Sequence, residues 1–218
     1  MNATASLRSL AVFSGAAVAL AGAGAQSARA DIIYSGLLNI LAPGTGTLWV
    51  NFDNGATSTT SAASVPGFDL SIQGGALSTN FAGPSLFVVR RVNNPTFLAQ
   101  STAALPSGYI IGPTPGAPFN FGYSTATGGT AIVGTTPAGG WTFNANNTFG
   151  FSFRDASNNV RYGWARIALG GSPGVRTLVD YAYENSGGTI AAGAIPTPGA
   201  AALLGVGALA GLRRRRRA

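Results

Sequence analysis

Hydrophobic and polar residues alternate with a period of two along much of this chain. Phe149, Phe151 and Phe153 are separated by Gly150, Ser152 and Arg154, so one face of an extended segment is aromatic and the other small or polar. Asp155-Ala156-Ser157-Asn158-Asn159 follows with turn-forming side chains. From Val160 onward Tyr162 and Trp164 share one face, with Arg161, Gly163 and Ala165 on the other. The pattern predicts a hairpin of Thr148–Arg154 with Val160–Leu169, with its aromatic rows facing each other across the pair, at the centre of the fold.

The same reading predicts further strands at Ile32–Leu38, Gly46–Phe52, Phe68–Gln73, Ser85–Val92, Tyr109–Ile111, Phe119–Tyr123, Gly140–Phe143 and Thr177–Asn185. Gly and Pro, with clusters of Ser, Thr and Asn, punctuate the chain between them. No amphipathic stretch of helical period competes. Ten short strands with frequent turn signals predict an all-β domain, a β-sandwich or jelly roll, over residues 31–194.

The two ends follow other rules. Met1 to Ala30 carries Arg8, an apolar run from Leu10 to Ala23, and the small-x-small pattern Ala28-Arg29-Ala30, which predicts a signal peptide over residues 1–30 with the mature chain starting at Asp31. Residues 195–218 hold Pro196-Thr197-Pro198, an uncharged segment from Gly199 to Leu212, and the run Arg213, Arg214, Arg215, Arg216 and Arg217. That order predicts a short C-terminal transmembrane helix with the arginines as a cytoplasmic stop. Its fourteen residues make about 21 Å of helix against a hydrocarbon core of roughly 30 Å. The anchor is short for a full span.

Setting the ends aside changes the charge. The formal net charge is +7, yet Arg8, Arg29 and the five tail arginines carry all of that excess. The domain keeps six arginines (Arg90, Arg91, Arg154, Arg161, Arg166 and Arg176) against six acids (Asp31, Asp53, Asp69, Asp155, Asp180 and Glu184). A neutral domain lacks the electrostatic term that dominates nucleic-acid binding, so no nucleic-acid partner is expected.

The tail resembles the C-terminal sorting signal of PEP-CTERM proteins, with Pro196-Thr197-Pro198 where the family signature reads Pro-Glu-Pro. Phe149-Gly150-Phe151-Ser152-Phe153-Arg154, Tyr162-Gly163-Trp164-Ala165-Arg166, Asp180-Tyr181-Ala182-Tyr183-Glu184 and Ile190-Ala191-Ala192-Gly193 are similar to the end of many ectodomains of that family. The resemblance implies export through a signal peptidase, a transient hold in the inner membrane, and processing by an exosortase-like enzyme. It also implies a setting in which exopolysaccharide is made, the biofilm matrix included. It carries no catalytic residues with it.

Composition narrows the chemistry. Histidine, cysteine and lysine are absent, which removes the commonest general base, thiol nucleophiles, Schiff-base chemistry, disulfides and the usual zinc ligands. Neither a cofactor nor a metal site is expected. Paired-carboxylate chemistry of the glycoside-hydrolase kind is what remains. Asp53 and Asp155 sit where turns take an acid, and Asp180 and Glu184 read as arginine partners, so no catalytic residue is assigned. Asn51, Asp53 and Asn54 fall short of a calcium loop.

The expectation is therefore an exported, surface- or matrix-associated, non-catalytic protein. Carbohydrate binding is the alternative, and a carboxylate-dependent glycosidase the remote one. A sugar-binding module would stack exposed aromatic rings on sugar faces, with Trp49 and Trp141 as the candidate glycan platforms, and Tyr109 and Tyr123 as further ones.

Overall fold

The computed structural model describes residues 31–75, 78–91, 102–123, 130–133 and 139–196. These form β1 (Ile32–Tyr34), β2 (Ile40–Ala42), β3 (Thr47–Val50), β4 (Thr57–Ser58), β5 (Leu70–Gln73), β6 (Ser78–Ala82), β7 (Phe87–Arg91), β8 (Ile110–Ile111), β9 (Phe119–Tyr123), β10 (Thr130–Val133), β11 (Ala145–Arg154), β12 (Val160–Leu169), β13 (Arg176–Glu184) and β14 (Ile190–Ala191), with one 3₁₀ turn at Ala62–Ser64. Among the described residues no helix is long and apolar enough to cross a membrane. Ala28, Ala30, Thr197, Pro198 and Arg213 to Arg217 lie outside the described residues, as do the signal peptide and the tail segment expected from them.

The strands pair antiparallel. One sheet runs β1-β13-β12-β11-β7-β9 with β2 also on β13, a second runs β10-β6-β5-β3-β4, and β8 pairs with β14. Leu48, Val50, Leu70, Ile72 and Phe81 of the second sheet share one buried cluster with Phe149, Phe151, Phe153, Ile167, Leu178 and Tyr181 of the first. The chain is all-β, and two antiparallel sheets across a common core are consistent with a β-sandwich.

β11 and β12 form the longest ladder and lie in the middle of their sheet. Their aromatic rows do not face each other. The register pairs Phe151 with Gly163, Gly150 with Trp164 and Ser152 with Tyr162. Side chains paired across a ladder share a face, so the phenylalanines line the inner core while Tyr162 and Trp164 point to the opposite side. The glycines make room for this. A Cβ on Gly163 would lie 2.5 Å from Phe151 Cζ and 2.6 Å from the Ala182 carbonyl oxygen. One on Gly150 would lie 2.8 Å from Val89 Cγ2 and 2.9 Å from Leu105 Cδ1.

The hairpin thus serves two cores. On its outer side Val89, Ala103, Leu105, Ile111, Trp164, Ala182, Ile190 and Ala192 form a second buried cluster, roofed by β8 and β14. Residues 102–105 reach it by wedging between β7 and β11: Ala103 N donates to Val89 O at 2.9 Å and Leu105 N to Thr148 O at 2.7 Å. Trp164 is fully buried there, and its Nε1 donates to the Ala194 carbonyl at 3.0 Å. Trp164→Phe keeps a ring but removes that donor. The lost bond and the smaller ring in a fully buried site together are expected to cost about 2–3 kcal/mol, with the largest gain in amide exchange at residues 190–196, read by hydrogen exchange with mass spectrometry. Unchanged exchange there would mean that the bond does not hold the segment.

Other expectations shift at the edges. Ile32–Leu38 is cut short at Gly36 (φ 72°) and Asn39 (φ 51°), then resumes as β2. Gly140–Phe143 is not a strand. Gly139 and Gly140 both have left-handed φ (68° and 84°), and the Asn147 side chain stands in for a strand partner, accepting from Thr142 N at 2.7 Å and donating to Thr142 O at 2.9 Å. β6 was not foreseen, because Ser78-Thr79-Asn80 carries no apolar alternation.

Candidate functional site

Among the described residues, β8 and β14 roof only part of the outer face of the larger sheet. Beyond the β8–β14 cover lies an open groove of about 180 Å³ lined by Ser85, Phe87, Phe121, Ser152, Phe153, Arg154, Val160 and Tyr162. Register places these together: Ser152 pairs with Phe87 on one side and Tyr162 on the other, and Val89 pairs with Phe121. Phe121 and Tyr162 rings sit 5.9 Å apart at 38°, and Phe87 is 38% and Val160 37% exposed. The result is a shallow aromatic trough whose walls come from β7, β9, β11 and β12.

Polar groups accompany the rings. Ser152 is buried at the floor, 6% exposed, and within the described residues neither its hydroxyl nor that of Tyr162 has a protein hydrogen-bond partner. The Ser85 hydroxyl accepts from Arg154 N at 3.1 Å. Arg154 is exposed at the rim, where Nη1 donates to Asn158 O at 3.0 Å. No carboxylate of the described residues lies in ion-pair contact with it, the ion pairs there being Arg161–Asp155 and Arg166–Asp180.

The aromatic residues singled out by sequence lie elsewhere. Trp141 is a core residue: it is 4% exposed, stacks on Phe81 with centroids 5.6 Å apart, and its Nε1 donates to Thr102 O at 2.8 Å. It has no ring face left for a ligand. Trp49 is half-buried on the outer face of the smaller sheet, between Ser58 and Ser71 in register, and does not line the groove. Tyr109 packs edge-on against Phe119 at 4.9 Å and donates to Gly116 O at 2.9 Å. Tyr123 ends β9, and its side chain lies outside the described structure. Pro196 is exposed at the end of the described chain.

Each of the five acids from Asp53 to Glu184 has a structural contact. Asp53 Oδ2 accepts from Ala156 N at 2.8 Å, tying two turns together. Asp155 Oδ1 accepts from Ser157 N and Asn159 N, and Oδ2 from Arg161 Nε at 2.8 Å. Burial, the largest single effect, pushes its carboxyl up, but the hydrogen bonds from Asn159 and Arg161 and the Arg161 charge together hold it below the usual range. Asp180 is buried against Arg166, whose Nε donates at 2.6 Å, and Tyr34, whose hydroxyl donates at 2.8 Å. Hydrogen bonding to Asp180 raises the Arg166 guanidinium above its ordinary value.

Glu184 does not take an arginine. It is buried and accepts from Ser186 N at 2.9 Å and from Gly188 N, holding the turn after β13. Asp69 is also buried, accepting from Phe52 N at 2.8 Å, and burial pushes its carboxyl up to about 7. The oxygen donors Asn51 and Asn54 are engaged with turn backbone, at Asn54 N and Ala56 N. Among the described residues no group of three acidic, histidine or cysteine side chains is placed to hold a metal ion.

None of the acids lines the groove. Sequence reading missed the groove because its residues come from the β11–β12 hairpin and from β7 and β9, which lie well before it in the chain. The one available signal was the outward placement of Tyr162 opposite Ser152, which follows only once the register is known. No family model, curated protein or solved structure matches the chain.

Proposed function

We propose that this is an exported, non-catalytic β-sandwich protein, displayed at the cell surface or in the extracellular matrix, which adheres to polysaccharide through the groove of β7, β9, β11 and β12. The groove carries the reading: half-exposed rings beside unpartnered hydroxyls match how saccharides are held, by stacking on apolar ring faces with hydrogen bonds to hydroxyls. A jelly-roll connectivity is not part of this reading, since the sequential β11-β12-β13 meander makes up the centre of the larger sheet. The acids are engaged in turns, caps and ion pairs away from the groove, which supports a binding role over hydrolysis.

Export and sorting rest on the two ends. In this reading a signal peptidase cuts after Ala30, the segment after Pro198 holds the protein in the inner membrane with Arg213 to Arg217 inside, and an exosortase-like enzyme cuts near Pro196-Thr197-Pro198. Terminal peptides and intact mass of the protein from envelope and culture fluid test this. The expected species starts at Asp31 and ends near Pro198; a membrane form retaining the five arginines would overturn processing. For adhesion, Tyr162→Ala is expected to weaken co-sedimentation with polysaccharide at least tenfold while Trp49→Ala leaves it intact. The opposite ranking would move the site to the smaller sheet.

A further inference from the structure

The rim of the groove carries a charge that the reading so far does not use. Arg154 is exposed and lines the groove, and its guanidinium is bonded only through Nη1, to the Asn158 carbonyl and side-chain oxygens, within the described residues. The two acids whose side chains bond the turn after Arg154 are already engaged. Asp155 is in a 2.6 Å ion pair with Arg161, and Asp53 accepts from Ala156 N. Nε and Nη2 of Arg154 therefore remain as donors in the fork geometry that matches a carboxylate.

Resting on the polysaccharide reading above, we propose that the groove selects an acidic saccharide, a uronic-acid unit whose ring lies against Phe121 and Tyr162 and whose carboxylate is held by Arg154. Size favours one sugar unit of a passing chain. A volume of about 180 Å³ lies below the roughly 300–1,000 Å³ of pockets that enclose a whole small molecule. The floor suits hydroxyl groups: Ser152 is 94% buried by its 6% exposure, lines the groove and has no protein partner among the described residues. An acidic peptide would satisfy the arginine equally well, but a strand-like partner would add at β9, the edge of this sheet, whereas Arg154 lies on β11, which is paired on both sides by β12 and β7.

The test compares oligogalacturonate and oligoglucuronate with their methyl esters, which keep the ring and remove the charge, by calorimetry on the full-length protein. The acids are expected to bind at least tenfold more tightly than the esters, and added salt to narrow the gap. Arg154→Gln should abolish the difference by weakening acid binding toward that of the ester, with thermal stability unchanged. Tyr162→Phe, which keeps the stacking ring, should retain the preference for acids. Equal binding of acid and ester would overturn the charge selection and leave the saccharide reading standing. Binding of neither form, with neutral oligosaccharides bound instead, would do the same, and binding of no saccharide would overturn both.

Discussion

Arg176→Leu is expected to destabilise the protein by about 1–3 kcal/mol, the cost of leaving backbone carbonyls without the donor that gathers them. Arg176 is fully buried with no carboxylate partner. Its guanidinium instead gathers backbone carbonyls: Nη2 donates to Pro43 O at 2.8 Å, Gly46 O at 3.3 Å and Gly74 O at 3.3 Å, and Nη1 to Ser78 O and Pro173 O, both at 3.4 Å. Three separate loops are thereby fastened to the start of β13. Leucine removes the cost of burying the charge, but the part-buried carbonyls of Gly46, Gly74 and Ser78 lose this donor, while Pro43 O keeps Gly46 N and Pro173 O keeps the Thr79 hydroxyl. That asymmetry decides the sign. Arg176→Lys keeps a charge on a point-like head that cannot span the same carbonyls and should recover less than half of the loss. Urea unfolding followed by circular dichroism measures both, with Arg154→Gln, on an exposed arginine, expected within about 0.5 kcal/mol of the parent. A loss below about 1 kcal/mol for Arg176→Leu would show that the loops stand without it.

The second large effect is a dependence on pH. Burial is the main cause that raises Asp69 to about 7, opposed by the hydrogen bond from Phe52 N and reinforced by the charges of Asp53 and Asp155. An unfolded aspartate titrates near 3.9. Between those values the folded protein holds a proton that the unfolded chain has released, so stability is greatest below about pH 4 and is lost as pH rises through 7. A difference of about three pKa units corresponds to about 4 kcal/mol. The chain has no histidine or cysteine, and the depressed carboxyls of Asp155 and Glu184 act in the opposite sense at lower pH, so the window from pH 5 to 7.5 reports on Asp69. Asp69→Asn keeps an acceptor for Phe52 N–H and cannot ionise. Its stability should be flat across that window and exceed the parent by a few kcal/mol at pH 8. A flat profile in the parent would mean that water or local relaxation already accommodates the charge.

Much of this fold was legible because alternation and burial coincide. Phe149, Phe151 and Phe153 are all buried, the turn at Asp155–Asn159 closes as its side chains suggest, with Asn158 at φ 65°, and β13 starts and ends within a residue of expectation. Legibility failed where a strand is polar on both faces, as at Ser78-Thr79-Asn80, or where an apolar cluster belongs to a loop, as at Trp141. The facing of the hairpin rows failed for a more general reason. Alternation gives the face of each strand but not the register between them, and one residue of register moves a whole row to the other side. The groove depends on that register. Arg176 was equally hidden, since a cation surrounded by carbonyls leaves no complementary charge in the sequence to point to it.

The stitch that ties Ala194 to Trp164 also sets how the molecule carries load. The chain leaves the outer roof through β14, which has only two residues in register with β8, together with the Ala192–Tyr109 and Gly108–Ala192 backbone bonds. Tension arriving from the C-terminal side meets these bonds one after another, so they yield by unzipping. Behind them in the chain comes β13, held on one side by β12 and on the other by β1 and β2. Drag on a protein held by that end would therefore spend itself in lifting the roof from Trp164 and Ile111, a sacrificial hinge that lengthens the tether and leaves the inner core and the groove intact.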